Sequence, residues 1–455
     1  MAKVGFCAVS GSGMSALAQV LKYKGNDIYG SDRSFDQGKD QKNKAALTDI
    51  GIKIFPQDGS MLDKDFSVLY ASTAVEDTIP DIKRAKELNI PIKHRSDLLA
   101  EIFASYKYNI AVGGTSGKST LTAMIGYILD RAEKNPLVIN GALLKNYENQ
   151  KGIPNVILNN GDYCVIEADE SDGSIEKYTP YISVVNNITL DHKSIEELQE
   201  LFGNFVKRAT FGAIINKDCV NSKAIQNLNS HTLTFSIKDP SADFYAEKIT
   251  PVTDGTLYTF QGSEYKLKLI GAFNVANAMC AVACCSLLGV SPQDACRILE
   301  NFLGTKRRLE VLGSTNNITI IDDFAHNPDK VAASMSALKS YAGRIIIMFQ
   351  PHGFSPMRLM GKEIMDSFVE YMSSNDILML PEIFFAGGTV KRDISSLDLV
   401  NYAKRHNCDA RYFATRDELK QKILEIAQPN DRIVLMGARD NSITDMGFEI
   451  LEKLK

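Results

Sequence analysis

Short apolar runs alternate along this chain with segments whose apolar residues recur at helical spacing. The runs predict buried strands at residues 3–9, 27–30, 66–70, 90–92, 108–112, 163–168, 183–188, 319–321, 344–349, 377–380 and 433–436. Helical spacing follows several of them, as at residues 16–22 and 121–129. Strands that alternate with helices form parallel sheets, and ligands bind beyond the carboxyl ends of those strands. The pattern therefore predicts an α/β fold.

The same pattern divides the chain into three α/β domains in series. A length of 455 residues is typical of about three domains. We predict domains at residues 1–106, 107–309 and 310–455, with no low-complexity linker or internal repeat. Polar residues follow predicted strands in all three, so each domain can contribute to a binding site.

A glycine-rich turn joins a predicted strand to a predicted helix in the central domain. Residues 113–120 read Gly-Gly-Thr-Ser-Gly-Lys-Ser-Thr, and Val112 stands where a phosphate-binding loop usually has its first glycine. Glycines let backbone N–H groups approach phosphate oxygens, and the following helix presents its positive end to the anion. Lys118 can reach the outer phosphates, and the Ser119 hydroxyl can bind Mg²⁺. We predict a nucleotide triphosphate site.

Acidic residues cluster after the strand predicted at residues 163–168. Residues 167–172 read Glu-Ala-Asp-Glu-Ser-Asp. Like charges repel at short range unless a cation lies among them, and Mg²⁺ prefers oxygen ligands. His192 follows the next predicted strand, which places it near the same edge of a parallel sheet. The string predicts a magnesium site, the alternative being a solvated acidic loop.

A second glycine turn lies near the amino terminus. Residues 10–15 read Ser-Gly-Ser-Gly-Met-Ser between a predicted strand and helix. Asp32 closes the next strand, where an acidic residue often binds a nucleotide ribose. Because the complete dinucleotide fingerprint is absent, a purely structural turn remains an alternative to nucleotide binding.

Two asparagines and a polar string add to the candidate chemistry. Asn274 and Asn277 lie three residues apart, hence on one face of a predicted helix. Amide groups both donate and accept hydrogen bonds, which suits the edge of adenine. Asp323 and His326 follow the strand predicted at residues 319–321.

Composition narrows the class of protein. The net charge of −4 gives no sign of a nucleic-acid or membrane partner, and no run approaches the roughly 20 apolar residues that span a bilayer. No signal segment opens the sequence. The eight cysteines are scattered except for Cys280, Cys284 and Cys285, which we interpret as buried thiols rather than a metal site. We expect a cytoplasmic enzyme.

Together these motifs resemble the Mur ligase family, the ATP-dependent amide ligases of bacterial peptidoglycan synthesis, over essentially the whole chain. Lys-Arg-Arg at residues 306–308 and Asp-Phe-Ala-His-Asn-Pro at residues 323–328 strengthen the resemblance. It implies a Rossmann-like UDP-binding domain, a central ATP-binding domain and a Rossmann-like ligase domain. It also implies ATP and Mg²⁺ as cofactors, a UDP-N-acetylmuramate-type carboxylate and an amino acid or short peptide as substrates, and a monomer or weak homodimer.

The resemblance also implies roles for the residues of these motifs. Catalysis would rest on Lys118, Glu167 and His192, and Mg²⁺ on Ser119, Glu167 and His192. ATP would contact Gly114, Thr115, Ser116, Gly117, Lys118, Ser119, Thr120, Asn274, Asn277, Arg308 and Asp323. The UDP part of the substrate would contact Ser10, Gly11, Ser12, Gly13, Met14, Ser15, Asp32, Ser72 and Thr73. The amino acid would lie near His326, His352 and Arg358.

Departures from the family pattern leave the acceptor amine open. Where the alanine-adding subgroup carries two arginines after Gln-Pro-His, this chain has Gly353 and Pro356. Arg358 or Arg392 would have to bind the acceptor carboxylate instead. Alanine is the first expectation, and a murein tripeptide or another amine is the alternative. Lys207 is a weak counterpart of the carbamylated lysine of some members.

Two other functions fit parts of the pattern. A folylpolyglutamate- or cyanophycin-type ligase would share the architecture, although the former begins directly with the phosphate loop. A non-catalytic nucleotide-binding regulator would need no paired metal ligands, whereas Ser119, Glu167 and His192 are all present. We therefore expect a ligase.

Overall fold

A computed structural model describes residues 2–72, 75–190, 193–252, 255–385, 391–438, 440 and 442–455. Contacts divide the chain into two compact units. The first comprises Met1–Glu247, Thr259–Tyr265 and Ala276–Thr305, and the second comprises Lys248–Tyr258, Lys266–Val275 and Lys306–Lys455. The sheets are mainly parallel, so the predicted α/β fold is confirmed. The domain boundaries given above stay predictions.

The amino-terminal sheet has five parallel strands in the order β3-β2-β1-β4-β5. Its elements are β1 (Lys3–Cys7), α1 (Ser12–Tyr23), β2 (Asp27–Ser31), α2 (Arg33–Asp36), α3 (Gln41–Asp49), β3 (Lys53–Phe55), β4 (Val68–Ala71), α4 (Pro80–Glu87), β5 (Ile92–His94) and α5 (Arg95–Ala104). The glycine turn is shorter than the sequence indicated. Since α1 begins at Ser12, Gly13 to Ser15 lie in its first turn.

The central sheet has the strand order β15-β14-β13-β12-β11-β10-β6-β9-β7-β8. Its elements are β6 (Tyr108–Gly113), α6 (Lys118–Arg131), β7 (Leu137–Ile139), β8 (Val156–Ile157), β9 (Tyr163–Glu167), β10 (Ile182–Val185), α7 (Ile195–Lys207), β11 (Gly212–Asn216), α8 (Val220–Lys223), β12 (Thr232–Ser236), β13 (Phe244–Val252), β14 (Gly255–Phe260), β15 (Ser263–Leu267), α9 (Ala272–Ser286) and α10 (Pro292–Leu299). Short 3₁₀ turns lie at Lys145–Tyr147, Ser174–Lys177 and Gln226–Leu228. Strands β13 to β15 have residues in both units, and the apolar pattern did not reveal them.

The carboxyl-terminal sheet has the order β16-β17-β21-β18-β19-β20, with only β16 antiparallel to its neighbour. Its elements are β16 (Glu310–Thr315), β17 (Ile318–Asp323), α11 (Pro328–Lys339), β18 (Ile345–Phe349), α12 (Phe354–Tyr371), β19 (Ile377–Pro381), α13 (Ser396–Arg405), β20 (Ala410–Phe413), α14 (Arg416–Ile426), β21 (Arg432–Met436) and α15 (Ser442–Lys453). Strand β17 extends two residues beyond the prediction, so Asp322 and Asp323 are part of it.

Burial explains why the strands are so uniformly apolar. Every residue of β18 and β19 is buried, because helices cover both faces of a parallel sheet. Cys280, Cys284 and Cys285 are buried in α9, which confirms the interpretation of buried thiols, and burial raises the pKa of all three well above the usual range. Within the described residues, no helix is long and apolar enough to cross a membrane.

Candidate active site

The phosphate loop connects β6 to α6, as the sequence predicted. Its backbone conformation requires glycine at two positions. Gly114 has φ +136° and Gly117 has φ +83°, backbone conformations that residues with a Cβ rarely adopt. A Cβ at Gly114 would lie 3.1 Å from Asn186 Cβ, and one at Gly117 would lie 2.6 Å from Asn186 Nδ2. The loop therefore packs closely on the chain that leaves β10.

Two asparagines after β10 hold the loop in shape. Asn187 Oδ1 accepts hydrogen bonds from Thr115 Oγ1 and from the backbone N of Ser116, both at 2.8 Å. The side-chain amides of Asn186 and Asn187 each donate to the carbonyl oxygen of Ser116 at 3.0 Å. Both asparagines fall within the strand predicted at residues 183–188, but β10 ends at Val185 and they lie just beyond it. Their amides fix the loop before any ligand arrives.

Lys118 lies among the acids that follow β9. Its Nζ donates to Glu170 Oε2 at 2.6 Å and to the carbonyl oxygen of Gly114 at 2.8 Å, and it is 3.9 Å from Asp169 Oδ1. Burial raises the pKa of Asp169, but the Lys118 ammonium and hydrogen bonds from Ser171 outweigh it, and the net shift is downward. Lys118 is therefore a cation that already lies among these acids. The prediction of a magnesium site from the repulsion between the acids did not take it into account.

Glu167 adjoins the hydroxyl at the start of α6. Its Oε2 accepts a hydrogen bond from Ser119 Oγ at 3.0 Å, and its Oε1 accepts one from the backbone N of Gly141 at 2.5 Å. A hydroxyl and a carboxylate this close are the oxygen ligands that Mg²⁺ takes. Within the described parts of the chain, no three or more His, Cys, Asp or Glu side chains form a metal cluster. His192 lies outside the described residues, so its metal role stays a prediction.

A cavity of about 610 Å³ lies at the carboxyl ends of the amino-terminal strands. Most of the residues expected to bind the UDP part line it, namely Ser10, Gly11, Ser12, Gly13, Met14, Asp32 and Ser72. Glu167 and Asp169 line the same cavity. Ser15 does not, because it is buried against Asn155 Nδ2 at 3.1 Å, and Thr73 lies outside the described residues. The glycine turn and the acidic string therefore share one space.

Asp32 stabilises the local backbone in this cavity. Its carboxylate accepts hydrogen bonds from the backbone N of Ser10 and of Ser34, each at 2.8 Å, and so caps α2. The geometry joins the glycine turn to the end of β2. A structural role accounts for these contacts, and the remaining surface of Asp32 faces the cavity.

Arg95 also lines the cavity, and it lies just beyond the strand predicted at residues 90–92, although no motif assigned it a role. Its Nη2 is 2.8 Å from Asp172 Oδ2, and a Cβ at Gly13 would lie 2.9 Å from Arg95 Cδ. The other charged side chains that the cavity exposes among the described residues are Asp32, Asp40, Glu167 and Asp169. Arg95 is therefore the cationic group available here to an anionic ligand.

The two asparagines of α9 have different surroundings. Asn277 Oδ1 accepts a hydrogen bond from Asn186 Nδ2 at 3.0 Å and would be 3.3 Å from a Cβ at Gly117, so it adjoins the phosphate loop. In the second unit, Asn274 Nδ2 donates to the carbonyl oxygen of Ile270 at 2.8 Å. That contact belongs to the helix terminus. Their shared role at adenine stays a prediction.

In the second unit, Asp323 is buried at the end of β17. It accepts hydrogen bonds from Ser334 Oγ and, at 3.2 Å, from the backbone N of Leu309. Burial raises the pKa of its carboxyl group. The Arg308 guanidinium is 5.2 Å from the ring centre of Phe324. The Arg308 charge opposes the rise in the pKa of Asp323, so the two residues that the resemblance assigns to ATP lie close enough to interact.

His326 and His352 meet at the carboxyl ends of β17 and β18. Their ring centres are 5.4 Å apart in an edge-to-face arrangement, and His326 Nδ1 is 2.8 Å from the carbonyl oxygen of Phe324. Burial lowers the pKa of His326 to about 4. The hydrogen bond to the Phe324 carbonyl oxygen opposes this shift, and the nearby positive charges of Lys330 and Arg308 add to it. His326 is therefore neutral at physiological pH and can accept or donate a hydrogen bond without carrying charge.

The two candidate arginines for the acceptor carboxylate have other partners. Arg358 Nη1 donates to Asp393 Oδ1 at 2.5 Å and to the carbonyl oxygen of Lys391 at 2.8 Å, while Nη2 donates to Ser355 Oγ at 3.0 Å. The Arg392 guanidinium lies 4.0 Å from the ring centre of Phe385. An acceptor carboxylate would have to displace Asp393 to use Arg358.

We expect His326 to make the stability of the protein pH-dependent. Since its pKa is about 4 in the fold and about 6.5 when unfolded, only the unfolded chain takes up this proton in between. Its contribution to stability is complete above pH 6.5 and is lost as the pH falls toward 4. Between pH 7.5 and pH 5 the wild type should lose about 2 kcal/mol more unfolding free energy than His326→Gln.

Urea unfolding at the two pH values measures this difference. His406→Gln is the matched control, because His406 is exposed and forms a hydrogen bond with the carbonyl oxygen of Tyr402 at 2.9 Å. This variant should follow the wild type. Equal losses in the wild type and in His326→Gln would contradict the burial argument.

Three family models match successive parts of the chain. The model described as the Mur ligase family catalytic domain matches residues 3–107, the Mur ligase middle domain matches residues 112–285, and the Mur ligase glutamate ligase domain matches residues 307–439. Together they include the glycine turn, the phosphate loop, the acidic string and the histidine pair.

Whole-length relatives agree with these matches. The UDP-N-acetylmuramate–L-alanine ligase of Syntrophomonas wolfei is 30% identical, covering 98% of this chain and 96% of its own. The enzyme of the same name from a Sulfurihydrogenibium species is 32% identical over 99% and 98%. The solved UDP-N-acetylmuramate–alanine ligase of Thermotoga maritima has a TM-score of 0.81 at 25% identity, covering 100% of this chain and 99% of that one. A murein peptide ligase from Psychrobacter arcticus, at 21% identity and TM-score 0.69 over 100% and 99%, shares the fold.

Proposed function

Because the chain belongs to the Mur ligase family, we propose that it joins the carboxylate of UDP-N-acetylmuramate to L-alanine at the expense of ATP, in peptidoglycan synthesis. The observation that carries the proposal is the shared cavity. Residues of the glycine turn face it beside Glu167 and Asp169, and Asp169 is 3.9 Å from Lys118 of the phosphate loop. A carboxylate bound there would lie close to a nucleotide on the loop.

The reaction needs a carboxylate oxygen, a γ-phosphoryl group and an amine in sequence. The carboxylate oxygen attacks the γ-phosphorus of ATP, and the bond between that phosphorus and the β-phosphate oxygen breaks. ADP departs, and the substrate carboxylate has become an acyl phosphate. The amine then attacks the acyl carbon, loses a proton and displaces phosphate. Fixed charges provide most of the catalysis in phosphoryl transfer. Lys118, at the start of α6, would neutralise charge on the transferring group once its ammonium leaves Glu170.

Mg²⁺ suits the oxygen ligands at the start of α6. Ser119 and Glu167 would hold it, since their oxygens are already 3.0 Å apart, and His192 is the third proposed ligand. The bound ion would screen phosphate charge. Side chains of the protein would hold the phosphate loop in position for the nucleotide. Asn186 and Asn187 bind the loop backbone, and Asn277 lies beside it.

Arg95 would bind the anionic part of the UDP substrate. That substrate brings two phosphates and a carboxylate into a cavity whose other described charged groups are acids. The N-terminus of α1 contributes backbone N–H groups, and the Arg95 fork contributes a full positive charge. Substrate binding would exchange the Asp172 partner of Arg95 for a phosphate or carboxylate oxygen.

Replacing Arg95 by Ala should raise the KM for UDP-N-acetylmuramate roughly tenfold to a hundredfold, because a charge-assisted hydrogen bond contributes about 1.5–3 kcal/mol. The KM for ATP should change little. Lys93→Ala is the matched control: Lys93 lies two residues earlier and pairs with exposed Glu101 at 2.8 Å. Steady-state kinetics on both variants measures the effect. An unchanged KM for the UDP substrate in Arg95→Ala would remove Arg95 from the site.

The acceptor is the part of the proposal that the side chains constrain least. The wild-type enzyme should be assayed for phosphate release with UDP-N-acetylmuramate and alanine, glycine, serine or murein tripeptide. Alanine is expected to give the highest kcat/KM. No release with any of them would contradict the ligase proposal and favour a nucleotide-binding regulator.

A murein-tripeptide ligase is the second candidate. It is favoured by the contact between Arg358 and Asp393, which leaves the guanidinium engaged by the protein rather than preset for a free α-carboxylate. A higher kcat/KM for tripeptide than for alanine would establish this alternative.

A reducing compartment suits the proposal. The eight cysteines are all free thiols in the structure, and seven of them are buried. We therefore propose that the enzyme works in the cytoplasm. The family resemblance implies a monomer or weak homodimer.

A further inference from the structure

Arg416, the first residue of α14, joins the loops that follow two strands of the carboxyl-terminal sheet. Its Nε donates to Gln350 Oε1 at 2.7 Å, beyond β18. Its Nη1 donates to Ser442 Oγ at 2.8 Å, and its Nη2 donates to the Asp440 carboxylate, both beyond β21. These partners are 66, 26 and 24 residues away in sequence, so the contacts are tertiary.

Gln350 links these contacts to the sheet. It is 1% exposed, and its Nε2 donates to the carbonyl oxygens of Glu382 at 2.8 Å and Pro351 at 3.2 Å. Because Arg416 can only donate and a carbonyl oxygen can only accept, these partners fix which end of the amide faces which way. The backbone N of Gln350 donates to the carbonyl oxygen of Met436 at 2.8 Å, joining β18 to β21.

The segment held in this way carries His352. His352 pairs with Phe384 in a parallel bridge, the backbone N of Gly353 donates to the carbonyl oxygen of Phe384 at 3.0 Å, and the N of Phe384 donates to that of Pro351 at 2.8 Å. The Arg416 guanidinium lies 5.8 Å from the Phe384 ring centre. Arg416 thus lies beside two segments that adjoin His352: the segment that begins at Gln350 and the one that contains Phe384.

We propose that Arg416 is a positioning residue for the acceptor end of the ligase site, acting through Gln350 and Phe384 on His352. The proposal rests on the proposed function, in which His326 and His352 face the incoming amino acid. A guanidinium suits the task because its planar fork can donate to three acceptors at once, whereas a lysine ammonium is a point charge on a flexible stem. Loss of Arg416 would leave the Asp440 carboxylate and the Gln350 amide oxygen without this donor.

Kinetics on Arg416→Ala and Arg416→Lys tests the proposal. Small displacements at a reacting centre cost large factors, so Arg416→Ala should raise the KM for the acceptor amino acid roughly tenfold to a hundredfold, with Arg416→Lys in between. The KM for ATP should stay within about twofold of the wild-type value. Arg411→Ala is the matched control, since Arg411 lies on β20 and pairs with Asp409 at 2.6 Å.

A second readout separates positioning from mere stability. The side-chain NMR signals of His326 and His352 should shift in Arg416→Ala and stay in place in Arg411→Ala. If Arg416→Ala does not fold, Asp440→Asn, which removes the charge but keeps the shape, should show the same changes in KM and signals to a smaller extent.

Two results would overturn the proposal. One is a lower melting temperature with unchanged acceptor KM and unchanged histidine signals, which is the behaviour of a structural residue. The other is no effect in Arg416→Ala at all. Absence of ligation by the wild type with every acceptor would instead contradict the proposed function.

Discussion

Replacing Lys118 by Ala is expected to lower kcat for ligation by about a thousandfold or more, because the proposed role of the lysine is to neutralise charge on the transferring phosphoryl group. Lys118 is held by Glu170, whose side chain is 5% exposed. Its removal therefore also leaves a buried carboxylate without its cation, and should lower the free energy of unfolding by on the order of 3 kcal/mol. Removal of a lysine from a fully exposed loop would change stability little, whereas the Lys118 side chain is 15% exposed.

The double variant Lys118→Ala/Glu170→Gln separates the two effects. It removes the uncompensated charge, so stability should return toward the wild-type value while activity stays lost. Lys151→Ala serves as the control, because Lys151 is exposed and outside the loop. Phosphate release and urea unfolding are measured on all four proteins. Wild-type turnover in Lys118→Ala would contradict the phosphate-loop assignment.

The second large effect is expected at Glu167. Glu167→Gln keeps the hydrogen-bond acceptor for Ser119 but removes the charge that would hold Mg²⁺. We expect kcat to fall by about a hundredfold and the Mg²⁺ concentration for half-maximal rate to rise at least tenfold, since preorganised charge is worth several kcal/mol in such sites.

A Mg²⁺ titration of the rate measures both quantities. Glu176→Gln is the matched control: Glu176 is exposed, lies in the 3₁₀ turn Ser174–Lys177 and does not line the cavity. It should titrate like the wild type. If Glu167→Gln did the same, Glu167 would serve only to hold Ser119 and Gly141.

The central strand–loop–helix unit could be predicted from sequence because each local signal agreed. An apolar run, paired glycines and a lysine–serine step point to one conformation, and the structure shows it in β6, the loop and α6. The amino-terminal turn was predicted less well. Its polar residues indicated a loop. In the structure the backbone N of Ser15 donates to the carbonyl oxygen of Gly11, and α1 begins at Ser12.

Other features depend on partners far away in sequence. Asp322 is charged and ended the apolar pattern of β17, yet it is buried because Arg307 Nε lies 3.2 Å from its carboxylate and Thr444 donates to it. No motif assigned a role to Arg95 or Arg416 either. The proposed role of Arg95 depends on its contact with Asp172, 77 residues away. That of Arg416 depends on its contact with Gln350, 66 residues away. The pattern of apolar and polar residues in one sequence indicates which face of a helix or strand is buried. It does not indicate which distant residues form hydrogen bonds or ion pairs.

The most direct test of the central claim follows an oxygen atom. UDP-N-acetylmuramate labelled with ¹⁸O in its carboxylate is incubated with ATP, Mg²⁺, L-alanine and the enzyme, and the products are examined by mass spectrometry. Attack of that carboxylate on the γ-phosphorus requires the released phosphate to carry one ¹⁸O and the new amide to keep the other. Unlabelled phosphate, or phosphate released without an amide product, would contradict the account.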